Sequence, residues 1–162
     1  MNVADLTGLA LDYWVARSLP DFVREIYFTD SGETVAVRGN DRGRAWDGRF
    51  EPSTSWEAAG VVLDRAQRVE VREHRDGEAV ICVAEFVGSH RTAEAQGATM
   101  REALLRAFVT SRFGDEVEAM LRQPQSLSGM QMELTSEPAN VGDTEDLPSP
   151  DGQIGDIGAQ PR

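Results

Sequence analysis

The chain opens on an amphipathic pattern. Ala10, Leu11, Trp14 and Val15 recur at helical spacing after Thr7, while Asp12 and Arg17 point elsewhere. This predicts a first helix from an N-cap at Thr7 to about Ser18, with Pro20 as a stop. Two β-rich runs follow, Glu25–Thr29 and Thr34–Arg38, joined by Asp30-Ser31-Gly32-Glu33, which reads as a hairpin. Residues 39–49 are polar and glycine-rich around a lone Trp46, and read as a loop.

A second helix is predicted from Ser55 to about Arg65. In Arg68–His74, Val69 and Val71 alternate with charged residues, the pattern of a half-buried strand. Arg75-Asp76-Gly77-Glu78 carries the Asp-Gly signal of a tight turn. Ala79–Val87 is apolar on both faces apart from Glu85, which marks it as the central strand. Arg91–Ala95 fits an edge strand.

Thr99 and Glu102 form a capping box for a third helix, with Met100, Ala103, Leu104, Ala107, Phe108 and Ser111 at helical spacing. Gly114 suits its C-terminal cap, and Asp115 opens a short helix to Arg122. From Pro124 on, the chain is rich in Pro, Gly, Ser, Gln and acids and has no aromatic residue. Such a composition buries too little surface to offset its ordering entropy, so 124–162 is expected to be a disordered tail. The pattern thus predicts an α+β domain over 1–123: a small antiparallel sheet faced by three main helices, with an acidic tail.

Charge narrows the partners. The net charge is −12, and no lysine occurs among the basic residues. The tail carries seven acids and one arginine, a net of −6, and the remaining 21 acids and 15 arginines give another −6. Phosphate backbones are held by clustered positive charge, so direct nucleic-acid binding is not expected. No run of about 20 apolar residues is present to span a membrane. Nor does the N-terminus show the basic-then-apolar order of a secretion signal.

Candidate chemistry is sparse. Cys82 is the sole cysteine and lies mid-run in the most apolar strand, where a small core residue is the plainer role than a nucleophile. His74 and His90 are separated and fall at a hairpin end and in a loop. Neither a zinc-ligand spacing nor a phosphate-loop pattern is found. No catalytic residue, metal or cofactor is expected.

The most informative stretch is Phe50-Glu51-Pro52-Ser53-Thr54-Ser55-Trp56-Glu57-Ala58-Ala59-Gly60. Pro52 biases Glu51 toward extended backbone, Ser53 and Thr54 can cap a helix, and Glu57 lies three residues after Thr54 as in a capping box. A helix N-terminus holds free N–H groups and partial positive charge. Ser53, Thr54 and Ser55 could therefore hold a small anion, with Arg49 assisting and Trp14 and Trp56 walling the groove. Core packing of the two tryptophans and ordinary capping are the plainer roles.

This stretch resembles the Pro-Ser-Thr-x-Trp signature of the NinX-like family of phage and prophage proteins. Leu6-Thr7-Gly8-Leu9-Ala10-Leu11-Asp12 resembles the opening of that family, and Gly97-Ala98-Thr99 through Gly114-Asp115-Glu116-Val117 its closing helix and exit. The three blocks span residues 5–117. The order of elements is also similar to the phage ABA sandwich domain, in which helices cover a small antiparallel sheet. The chain departs from the family in a longer, more charged 20–49, in Gly60-Val61 where Gly-Pro is usual, and in its tail.

The resemblance implies a phage or prophage accessory protein in the cytoplasm of a bacterial host. With no catalytic constellation, the expected role is a non-enzymatic module that binds a host or phage protein. A homodimer stays open. Two alternatives are a binder of a small anion near Ser53–Ser55 and an acidic nucleic-acid mimic acting on a host DNA-binding protein.

Overall fold

In the computed structural model, residues 1–73 and 77–127 are described. In order they form α1 (Gly8–Arg17), β1 (Val23–Thr29), β2 (Thr34–Asp41), β3 (Arg44–Arg49) and α2 (Trp56–Leu63). Then come β4 (Ala66–Glu73), β5 (Val80–Phe86), β6 (Ala93–Gly97), α3 (Met100–Phe113) and the short β7 (Gln125–Ser126). The class is α+β. The strands expected in one sheet divide between two, ordered β3-β2-β1-β7 and β4-β5-β6, with every pairing antiparallel. The division falls at α2, which separates the first three strands from the next three.

Leu11–Ala16 of α1 and Ala103–Val109 of α3 are buried without a break, each run longer than one helical turn. A helix buried all round must be covered on every side. Indeed α1 packs on β1 and β2, α3 packs on β5 and β6, and both α1 and α2 touch α3. α1 and α3 therefore lie between the sheets. The fully buried aromatics Tyr13, Phe22, Phe50, Phe86 and Phe108 fill this interior.

The predicted hairpin is present, with Thr29 opposite Thr34. The loop expected over 39–49 is instead strand: β2 runs on to Asp41, and β3 returns beside it with Asp41 opposite Arg44. Arg42 and Gly43 both have positive φ (54° and 93°), the conformation of a two-residue hairpin turn that matches strand twist. The Gly43 N–H donates to Asn40 Oδ1 at 2.6 Å. Trp46 is not alone. It meets Phe50 and Phe22 edge-on, with ring centroids 5.6 and 6.0 Å away.

β4 departs from the half-buried expectation. Val69 and Val71 are 38% and 40% exposed, because α3 covers β5 and β6 and β4 lies beyond them at the edge. β5 is the central strand of its sheet, and Cys82 within it is fully buried, with burial pushing its thiol pKa up. The predicted turn at 75–78 and His74 fall mostly outside the described residues.

α3 starts as its capping box requires. Thr99 Oγ1 accepts the Glu102 N–H at 3.1 Å, and Glu102 Oε1 accepts the Ala98 N–H at 2.8 Å. Gly97 lets the helix start lie close to β6, since a Cβ there would stand 2.6 Å from the Ala103 nitrogen. The short helix expected from Asp115 does not form. Asp115 and Val117 exchange backbone hydrogen bonds with Val3 and Met1 instead.

The expected start of the tail moves. Gln125 and Ser126 pair with Ile26 and Glu25 of β1, Leu127 is buried, and Tyr13 donates to Gln125 Oε1 at 3.0 Å. The compact unit thus runs from Met1 to Leu127 rather than to Gln123. The disorder expected beyond lies, for 128–162, outside the described residues. A chain ending at Gln123 should be about 2–3 kcal/mol less stable than one ending at Leu127, for the loss of one buried leucine and its neighbouring hydrogen bonds. Denaturant melts of the two truncations check this; coincident curves would contradict it.

Candidate functional site

Three distant segments meet at Ser53. From α1, the buried Asp12 carboxylate accepts the Ser53 N–H at 2.7 Å and its hydroxyl at 3.0 Å. From α3, Arg101 Nε donates to the Ser53 carbonyl at 3.2 Å. Ser53 is thus held on its N–H, its side chain and its carbonyl, from two helices. Asp12 was expected to point away from the core. Its burial follows from Ser53, which supplies the two donors a buried carboxylate needs.

Burial pushes the Asp12 pKa up from its ordinary 3.8 to about 7, while the two Ser53 hydrogen bonds pull it down and the Glu51 charge adds to the rise. A carboxylate titrating near neutrality beside a hydroxyl has the outline of a base and its nucleophile. The N–H groups of Ser53, Thr54 and Ser55 are already engaged, so these three offer no oxyanion stabilisation. That of Ser53 goes to Asp12, and those of Thr54 and Ser55 go to the Glu51 carbonyl. The same engagement removes these three donors from any small anion at Ser53–Ser55.

The cap of α2 is Ser55, whose hydroxyl accepts the Ala58 N–H at 3.5 Å. The Thr54–Glu57 capping box does not form. Thr54 Oγ1 reaches the Glu51 carbonyl at 3.4 Å, and Glu57 pairs with Arg44 at 3.3 Å. Arg49 is engaged with Asp30 at 3.3 Å.

The two tryptophans separate. Trp14 is buried, edge-on to Tyr13 and Phe113 at 5.2 and 5.3 Å, and its indole N–H has no partner among the described residues. Trp56 is 43% exposed, with the Arg101 guanidinium carbon 5.5 Å from its ring centroid. The structure therefore brings Ser53, Thr54, Ser55 and Trp56 together with Asp12 and Arg101, and gives Trp14 and Arg49 other neighbours. Sequence reasoning missed Asp12 and Arg101. Both lie within the blocks singled out above, but their contacts span 41 and 48 residues.

A cavity of about 510 Å³ lies elsewhere, along β6, lined by Ala4, Ala79, Gln96, Gly97 and Arg106 among others. The Arg106 guanidinium is spent on the Leu6 and Gln96 carbonyls and on Glu102. No group of three or more His, Cys, Asp or Glu among the described residues is arranged to hold a metal ion. No helix among them is long and apolar enough to cross a membrane.

The family described as Bacteriophage P22, NinX matches residues 2–112, a span that contains Asp12, Ser53, Trp56 and Arg101. The chain belongs to this NinX family. It is thus a phage accessory protein, and the contacts at Ser53 join its N-terminal, signature and closing-helix segments. No curated protein matches the chain.

Proposed function

We propose that this NinX-family protein is a non-enzymatic interaction module that binds a host or phage protein through the surface around Trp56. The observation that carries this reading is the contrast within the signature. Ser53 and Ser55 are consumed by internal hydrogen bonds, yet Trp56 stays 43% exposed. Tryptophan and arginine dominate the binding energy of protein interfaces, above all where they are held in place before binding. Arg101 is so held: its Nε is fixed on the Ser53 carbonyl while its guanidinium faces the indole. Met100, 45% exposed and next in sequence, adds apolar surface.

The test is affinity capture from phage-infected host cells with wild type and Trp56→Ala side by side. Trp56→Ala should cost only about 1–2 kcal/mol of stability, below the 3–5 of a fully buried tryptophan, because the ring is half in solvent. The folded variant should then lose a protein that wild type captures. Equal capture by both would count against the proposal.

A further inference from the structure

We infer that the free edge of β4 pairs with the same edge of a second copy of this chain, across a two-fold axis centred on Val71. Two three-stranded sheets would then join into one. The inference goes beyond the Trp56 surface and uses none of its residues.

Among the described residues, β4 lies at the end of the β4-β5-β6 order and bonds to β5 alone, and residues 67–73 are all exposed. Such an edge displays unpaired N–H and C=O groups, a template for another strand. Charge usually blunts an edge by repelling a second copy. Here the outcome depends on the register. Arg68-Val69-Glu70-Val71-Arg72 reads the same in both directions. Centred on Glu70, an antiparallel pair of copies would set Glu70 against Glu70 and Arg68 against Arg72, opposing like charges. Centred on Val71, each Glu70 faces Arg72 of the other copy, twice by symmetry, and Val71 faces Val71. Centring on Val69 would also match charges, but it runs the ladder into the irregularity between Ala66 and Arg68.

The side chains reach solvent. Glu70 and Arg72 are half exposed, and within the strand they approach only to 3.9 Å. The valines add a reason to pair. Val69 and Val71 sit opposite Ala84 and Cys82, on the face that α3 covers over β5 but not over β4. A second β4 in this register would set Val71 on Val71, with each Val69 diagonal to it and opposite Glu73 of the other copy, and take part of the valine surface from water.

The experiment is sedimentation equilibrium of the full chain from low to high micromolar concentration. Wild type should dimerise. Glu70→Arg or Arg72→Glu each sets like charges opposite one another at two symmetric positions, and should raise the dimer dissociation constant about tenfold or more. The double variant Glu70→Arg/Arg72→Glu restores opposite charges and should restore the dimer. Circular dichroism verifies that each variant is folded, as expected for exposed positions. A wild type that stays monomeric throughout, or a double variant that dimerises no better than the single ones, would overturn the inference.

Discussion

Arg65→Ala should destabilise the protein by about 3–5 kcal/mol, the range for removing one partner of a buried ion pair. Arg65 is 5% exposed at the junction of α2 and β4. Its Nη2 lies 2.8 Å from both Asp21 and Asp41, and its Nη1 donates to the Val61 carbonyl at 2.9 Å. Burial disfavours the Arg65 charge, but the hydrogen bonds to Asp41 and Asp21 hold its pKa above the ordinary value. Burial likewise works to raise Asp41, and the Arg65 hydrogen bond and charge overcome it, leaving Asp41 below the usual carboxylate range. Asp41 closes the β2–β3 hairpin, so the cluster ties one sheet to the helix that leads into the other. Without Arg65 the largely covered Asp41 carboxylate keeps, among the described residues, only the exposed Arg42, 3.4 Å away. Urea unfolding of Arg65→Ala and wild type measures the difference. A loss under about 0.5 kcal/mol, the scale of an ordinary surface change, would show that the cluster holds nothing together.

The second large effect is on pH dependence. A carboxyl whose folded pKa is about 7 and whose ordinary value is 3.8 binds more protons in the folded chain over that interval. Its stabilising contribution is therefore fully present below 3.8 and is lost as pH rises through about 7. The lost contribution is on the order of 4 kcal/mol, from roughly 1.4 kcal/mol per pKa unit. Asp12→Asn cannot ionise. It keeps an oxygen for the Ser53 N–H and presents an amide to the Ser53 hydroxyl. Its stability relative to wild type should climb between pH 4 and pH 8. Melts of both proteins across this range test the sign as well as the size. Parallel curves would place the Asp12 pKa near its ordinary value.

Local signals were the legible ones. The α3 cap could be read because Thr99, Glu102 and the helix they start are neighbours in sequence. The central strand could be read because β5 is covered on both edges and one face. Where pairing depends on distant residues, periodicity misleads. Val69 and Val71 alternate like half-buried residues, yet whether that face is covered depends on how far α3 reaches. Asp12 falls on the polar side of the first helix by its pattern, and only Ser53, 41 residues on, makes its burial affordable. The β2–β3 hairpin was hidden by Arg42, a residue type that seldom takes positive φ, beside a run of polar residues. β7 was hidden by length, since a two-residue strand has no period to detect.

The candidate site was legible in part. The signature drew attention to Ser53–Trp56, and the structure keeps these residues together. Their roles divide differently from the expectation, because capping passes to Ser55 while Ser53 ties α1 to α3. Trp14 and Trp56 look alike on a helical pattern, yet α1 is enclosed between the sheets and the start of α2 reaches the surface.

The central claim is that Trp56 is a binding residue. Its most direct test is calorimetric titration of the protein captured from infected cells into wild type and into Trp56→Ala. Loss of a tryptophan hot spot is worth about 2 kcal/mol or more, so the variant should bind at least about thirtyfold more weakly while melting cooperatively. Equal affinities for a folded Trp56→Ala would contradict the claim.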